Sequence, residues 1–342
     1  MRKLFTIACL AVTLAGQTAS AQTHETFKHI DVAFTAGTTG LGFDLATPLA
    51  SWARLRMGAS FRMQSHYYAS LDTEIGVGQS AETQTANFNE VAKLMTSFVG
   101  DSPKRSIDMD GTFRMNNFKL LVDFYPIRSH RNFRVTAGFY YGNSLLVEGM
   151  NTIESGNTLA AITTYNHMYD LACKGEVVDM SRIGMSISGA MKDKMIEYLT
   201  DWGEITIPMG TLTRDIKDAD GNVVYKKGET LRLTPDQDDM IRINAKVKKF
   251  KPYVGVGYEL PVTKDGRTLV GVDAGVLFWG GKPSVEASVA VGEDESGNKV
   301  YQTVDLTRDV ENLPGRMADH IATAKRYSVF PVVGLRISQR IW

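Results

Sequence analysis

The chain has 342 residues, with 38 basic and 38 acidic side chains and a sequence pI near 7.0. So even a balance excludes a protein built to hold nucleic acid, which carries a basic excess. Beyond the N-terminus no apolar run approaches the roughly 20 residues of a helical membrane span, and two cysteines, Cys9 and Cys173, are too few for a disulfide scaffold.

The N-terminus reads as a secretory leader. Arg2 and Lys3 precede an apolar run over 4–15, too short to cross a bilayer, and Ala19-Ser20-Ala21 is an A-x-A cleavage site, so the mature chain starts at Gln22. A retained membrane anchor is the alternative, and length argues against it. Cys9 sits inside the apolar run and not beside the cleavage site, so no lipoprotein signal is read. Without Arg2 and Lys3 the 38 basic residues become 36, and Cys173 is left with no partner for a disulfide.

Alternating runs follow. Residues 29–36 place Ile30, Val32 and Phe34 on one face, and Gly37-Thr-Thr-Gly40 makes a tight turn. The run 41–47 sets Leu41, Phe43 and Leu45 against Gly42, Asp44 and Ala46; 53–63 sets Leu55, Met57, Ala59, Phe61 and Met63 against Arg54, Arg56, Gly58, Ser60 and Arg62. A long polar stretch, 64–111, contains Phe88, Val91, Leu94, Met95 and Phe98 at helical spacing, which predicts a helix over 87–99. Strands are expected at 113–125 and 133–141, the second with Arg134, Thr136, Gly138 and Tyr140 inward. The longest excursion, 142–239, holds an amphipathic stretch at 186–199 and a hairpin at 205–233 turning at Asp218-Ala-Asp-Gly-Asn222.

One long strand is expected over 241–260, with a bulge where its parity shifts at Lys248-Lys249. After a turn around Asp265-Gly266, 269–278 alternates again, and a third excursion, 279–326, has a helical stretch near 316–324. The final run, 327–342, puts Val329, Pro331, Val333, Leu335, Ile337 and Ile341 on one face and Gly334, Arg336, Ser338 and Arg340 on the other; Gln339 interrupts the apolar side and Trp342 falls on the inward parity.

Eight such runs in an exported chain predict an all-β fold: an eight-stranded antiparallel transmembrane β-barrel with long extracellular loops that carry short helices. The domain plan is a leader at 1–21 and a barrel at 22–342, with insertions at about 64–111, 142–239 and 279–326. Short turns at 48–51, 126–132 and 262–267 would then be periplasmic, as would both termini. A ten-stranded wall that includes 205–233 is the rival count, disfavoured because Lys217, Asp218, Lys226, Lys227 and Glu229 would face lipid.

The stretches 37–45 (GTTGLGFDL), 55–58 (LRMG), 121–126 (LVDFYP), 133–141 (FRVTAGFYY), 252–258 (PYVGVGY) and 331–337 (PVVGLRI), in that order, resemble the small outer-membrane barrels related to the OmpA transmembrane domain. The resemblance covers all eight strands and none of the long loops. It implies the fold and a location in the outer membrane of a diderm bacterium. It implies no single activity, since such barrels serve as structural proteins, adhesins and occasionally enzymes.

The inward positions collect Arg54, Arg56, Arg62, Lys119, Arg134, Arg336 and Arg340 with Asp31, Asp44, Asp123, Glu259 and Asp273. Either they line an ion-selective channel or they pair and close the lumen. Pairing is favoured, because an eight-stranded barrel is just wide enough for side chains to fill. Aromatics near strand ends (Trp52, Phe113, Tyr125, Phe133, Tyr141, Tyr258, Trp279, Tyr327) read as interfacial girdles. Ser65-His66 and Ser129-His130 make poor catalytic dyads, since neighbours on a strand face opposite ways. The 218–222 turn does not match a twelve-residue calcium loop, and no phosphate-binding loop or dinucleotide fingerprint is present. No catalytic residue, metal or cofactor is assigned.

The expected role is a non-enzymatic surface barrel, structural or binding partners through its loops; a narrow pore or a lipid-modifying barrel enzyme is the alternative. Expected partners are outer-membrane lipid and the barrel-assembly machinery, the latter meeting the terminal strand at Leu335, Ile337, Ile341 and Trp342.

Overall fold

The computed structural model describes residues 27–341 apart from 101, 128–130, 179–187, 234, 237, 239, 295–298 and 327. The expected leader, the Ser129-His130 turn, Tyr327 and Trp342 lie outside the described residues.

Eight strands close into a barrel: β1 (Asp31–Gly37), β2 (Gly40–Ala50), β3 (Ala53–Phe61), β4 (Asn116–Phe124), β5 (Phe133–Gly142), β6 (Phe250–Pro261), β7 (Thr268–Phe278) and β8 (Val329–Arg340). Each runs antiparallel to the next, and β8 returns to β1 with Ile337 opposite Phe34 and Arg340 opposite Asp31. Closure removes the free edges that an open sheet would present. Period-two alternation then divides the side chains: Phe34, Phe43, Met57, Val256, Leu335 and Ile337 stay exposed on the outside, while Asp44, Asp123 and Arg134 are fully buried inside. At the β1–β2 turn only Thr38 and Thr39 separate the strands, and Gly40 takes φ +93°, a conformation a side chain would resist.

Five neighbouring wall strands continue past the barrel. Joined by Lys299–Asp305, they form a six-stranded sheet in the order Lys299–Asp305, Ser284–Glu293, Arg242–Lys246, Leu145–Asn151, Ser106–Phe113, Ser65–Asp72. The backbone ladder is carried across the join, as in Arg62 N–H to Met115 O (3.2 Å), Arg114 N–H to Leu146 O (2.8 Å) and Val247 N–H to Ser144 O (2.8 Å). The seven residues of Leu145–Asn151 carry the wall about 23 Å further at ~3.3 Å per residue.

One face of this projecting sheet is apolar and holds a second core; the sheet and the helices packed on it are the head. Leu71, Ile107, Met109, Ile243, Ala287 and Val304 meet helices α1 (Ala81–Val99), α2 (Ile153–Cys173), α3 (Gly189–Trp202) and α4 (Gly315–Arg326). Helix α1 starts at Ser80, whose hydroxyl accepts from Thr83 N–H, and stops at Gly100 in the left-handed region. Thr152 and Ser188 cap α2 and α3 in the same way.

Several expectations need correction. The 241–260 run is two strands in two sheets: 247–249 is where the chain passes from the projecting sheet into the barrel, and the register shift falls just before it, between Ala245 and Lys246. Phe113 ends a head strand, and the wall resumes only at Asn116. Both 64–111 and 279–326 contain ordered strands, and α2 has no counterpart in the sequence reading. Ile205–Leu212 pairs with Thr230–Leu233 within the head, so the wall has eight strands and not ten. Among the described residues no helix is long and apolar enough to cross a membrane.

Candidate functional site: a charged, plugged lumen

The inward faces of β1–β8 bring ten charged side chains into one buried network. Asp123 on β4 is its hub. Its carboxylate accepts from Arg54 Nη2 (3.1 Å), Arg56 Nη2 (3.0 Å) and the Thr136 hydroxyl (2.7 Å), and Arg134 Nε lies 3.7 Å away. Arg134 also reaches Glu259 (2.6 Å) and Asp273 (2.6 Å), while Arg54 bridges Glu259 (3.2 Å) and Asp31 (3.6 Å). Toward the head, Lys119 Nζ sits 2.7 Å from Asp44, which Arg56 approaches at 3.7 Å. Arg336 is the least well paired member: it is 1% exposed, its nearest carboxylate oxygens are 3.6 Å (Glu259) and 4.0 Å (Asp123) away, and its guanidinium makes no hydrogen bond among the described residues.

Five cations therefore face five carboxylates. Charge balance matters because each ion removed from water costs several kcal/mol unless a counter-charge and hydrogen bonds replace it. Two inward positions of the sequence reading stand apart. Arg340 is half exposed at the terminal end, and its one ion-pair partner among the described residues is Asp31, at 3.6 Å. Arg62 lies at the opposite rim, donating to Thr38 O (2.8 Å) with its guanidinium 4.6 Å from the Phe113 ring.

Small residues make the room. A Cβ on Gly257 would lie 2.7 Å from Arg134 Cζ, and one on Gly58 would lie 2.2 Å from Asp44 Oδ1. Gly257→Val should therefore push the Arg134 guanidinium off Glu259 and Asp273 and lower stability by about 1–3 kcal/mol, the range for overpacking. Urea unfolding in phospholipid vesicles measures this; an unchanged midpoint would mean that the guanidinium is not seated there.

Above the ions the lumen becomes apolar. Tyr140 and Tyr253 pack at 5.4 Å between ring centroids, with Leu121, Leu277 and Val332 beside them, and Gly255 and Gly275 leave space for the Tyr253 phenol. This plug runs on into a neck of Phe113, Met115, Leu146, Val247 and Trp279. Phe113 and Trp279 thus turn inward and are not girdle residues, whereas Tyr141 and Tyr258 are exposed at strand ends and Trp52 stacks on Phe124. At the terminal end a cavity of about 530 Å³ opens beside Asp31, Arg54, Tyr125, Glu259 and Arg340; toward the β1–β2 turn, next to Lys119 and Tyr140, lies a cavity of about 30 Å³. At that mouth, outside the strands, burial lowers the pKa of His29 against the pull of Asp31, which keeps the ring neutral at pH 7.

Sequence parity had put Thr136 and Tyr140 inside without revealing their parts. Lys251 and Tyr253 share the parity of Glu259 and were readable by the same rule, but the apparent continuity of 241–260 hid where the wall strand begins. Lys251 is fully buried and donates to Asn117 Oδ1 (3.0 Å) and Asn143 O (3.1 Å). Outside the lumen, His66 Nδ1 lies 2.8 Å from Asp110 on the polar face of the projecting sheet, and Ser65 faces the other way. Asp218 closes its own turn by accepting from Asp220 and Asn222 N–H. Among the described residues no group of three His, Cys, Asp or Glu is placed to hold a metal ion.

No family model matches the sequence, and neither does any curated protein. Two solved structures are similar in part: CarO2 and CarO of Acinetobacter baumannii, at 12% and 14% identity and TM-scores of 0.37 and 0.36, each alignment covering 92% of this chain and 98% of theirs. Likeness at that level fixes neither kinship nor role. The closed barrel agrees with the fold that the OmpA resemblance implies, and kinship with that family has no sequence match behind it.

Proposed function

We propose that the chain is an integral outer-membrane protein of a diderm bacterium: a non-conducting, non-enzymatic barrel that anchors a folded extracellular head, through which it binds partners or stiffens the envelope. The observation that carries this reading is the filled lumen. A pore needs a continuous aqueous path, and here the bore is crossed first by a balanced ion network and then by a tyrosine–leucine plug. The exposed apolar outer face supports membrane residence, since that much uncovered apolar surface is stable only against lipid. Leu335 and Ile337 face outward on the terminal strand, available to lipid and, during insertion, to the barrel-assembly machinery. The head's own core supports a binding role, because ordered insertions of this length are usually functional.

Planar-bilayer recording tests the reading. Purified protein should insert without steady conductance. Stable channels of reproducible size would replace it with a pore that opens through the plug.

A further inference from the structure

The barrel rim is stepped. From β3 to β7 the wall rises into the projecting sheet, but β1 and β2 end at the Thr38–Thr39 turn and β8 begins only at Val329. The step leaves a groove of about 680 Å³ whose sides include Leu41, Met63, Phe330 and Pro331 and which also carries Thr38 and Arg62. Three features of this groove point the same way. Its apolar side continues the bilayer-facing surface without a break, with Leu41 59% and Met63 78% exposed. Arg62 has no carboxylate within 4.0 Å among the described residues, unlike the cations of the network below. Its guanidinium is also held in place, by the Thr38 carbonyl on one edge and the Phe113 ring on its face, which leaves N–H donors for a ligand.

We infer that this groove seats an anionic lipid of the surrounding leaflet, its phosphate on Arg62 and an acyl chain along Leu41 and Met63. A guanidinium is suited to phosphate oxygens by its paired donors, and such charge-assisted bonds are stronger than neutral ones. The apolar flank selects an amphiphile over a free anion. A peptide would find no continuity with the bilayer face, and the site lies on the side of the rim where the wall is lowest, so a lipid can enter from the membrane. The inference rests on the membrane placement proposed above.

Native mass spectrometry of detergent-purified full-length protein tests it, with dioleoyl phosphatidylglycerol and dioleoyl phosphatidylcholine as probes. Wild type should retain one phosphatidylglycerol at concentrations where phosphatidylcholine is lost. Arg62→Gln should weaken retention roughly tenfold, the factor for one lost charge-assisted hydrogen bond, and Arg62→Lys should restore part of it. Arg267→Gln, in the exposed turn at the other end of the barrel, should change nothing. Met63→Asp, which sets a carboxylate in the groove from an exposed position, should reproduce the loss and decides the matter if Arg62→Gln fails to fold. Equal retention of both lipids, undiminished retention in Arg62→Gln and Met63→Asp, or full displacement by millimolar inorganic phosphate would each overturn the inference. Insertion into vesicles is scored separately by heat-modifiable mobility. Failure there removes the membrane reading, whereas insertion without selective retention removes only the lipid site.

Discussion

Asp123→Ala should destabilise the barrel by about 3–5 kcal/mol, the cost of stranding buried charge when one partner of an ion pair is removed. The size follows from the position. Asp123 has no solvent exposure, and two arginines on β3, Arg54 and Arg56, donate to it at 3.1 and 3.0 Å. Removing its carboxylate leaves Arg56 with Asp44 and Asp273 at 3.7 and 3.5 Å, both outside hydrogen-bonding distance, and brings Arg336 no nearer to a partner. The tyrosine plug keeps water from these cations on the head side, and the cavity at the terminal end reaches Arg54 but not Arg56. Thr136→Val provides the comparison: it removes one hydrogen bond to the same carboxylate and should cost about 1 kcal/mol. Urea unfolding of both variants in phospholipid vesicles gives the two numbers. A change within about 0.5 kcal/mol for Asp123→Ala, typical of surface substitutions, would show that the site is solvated, and the case for a sealed lumen would fall with it.

The second large effect is expected in the head. Leu159 on α2 is fully buried in the core between the helices and the projecting sheet. Leu159→Asp places an unpaired carboxylate there, at a cost of several kcal/mol. The barrel residues Leu121, Tyr140, Tyr253 and Leu277 belong to a different cluster, so the loss should stay in the head. The variant refolded in vesicles should keep the heat-modifiable mobility of a closed barrel, yet trypsin should cut within 142–239 faster than it cuts wild type. Loss of the barrel band as well would mean that wall and head fold as one unit. The same variant tests topology in cells. Trypsin added outside should cut it, and cleavage only after the outer membrane is opened would turn the proposed orientation over.

The parts legible in advance share one property: they follow from period-two alternation, which is local to each strand. Runs such as 53–63 and 327–342 declared a greasy face and a charged face, and an apolar face opposite a charged one in eight successive runs admits few solutions besides a closed wall. Parity also sorted Asp44, Asp123, Arg134 and Glu259 to the inside, where they are buried. It misled where alternation continues across a change of sheet. At 247–249 one strand hands over to another without losing its pattern for long, and only the pairing partners, Leu145–Asn151 on one side and β5 on the other, reveal the join. Helix α2 escaped for the opposite reason. Leu159, Ala161, Ile162, Tyr165 and Met168 are buried on more than one side, so they trace no single stripe.

By itself, then, the sequence determined the alternation of the wall: where its strands run, which side chains face lipid and which share the inward parity. Tertiary structure decided which charge meets which, that five wall strands outgrow the barrel, and that Arg62, of the same parity as Arg54 and Arg56, sits at the rim facing a backbone carbonyl and a ring while they join the network. The reason is physical. Alternation is a property of each backbone segment, but the height at which a side chain stands in the bore depends on the stagger between strands and on where each neighbour stops, and those are set only when the sheet closes.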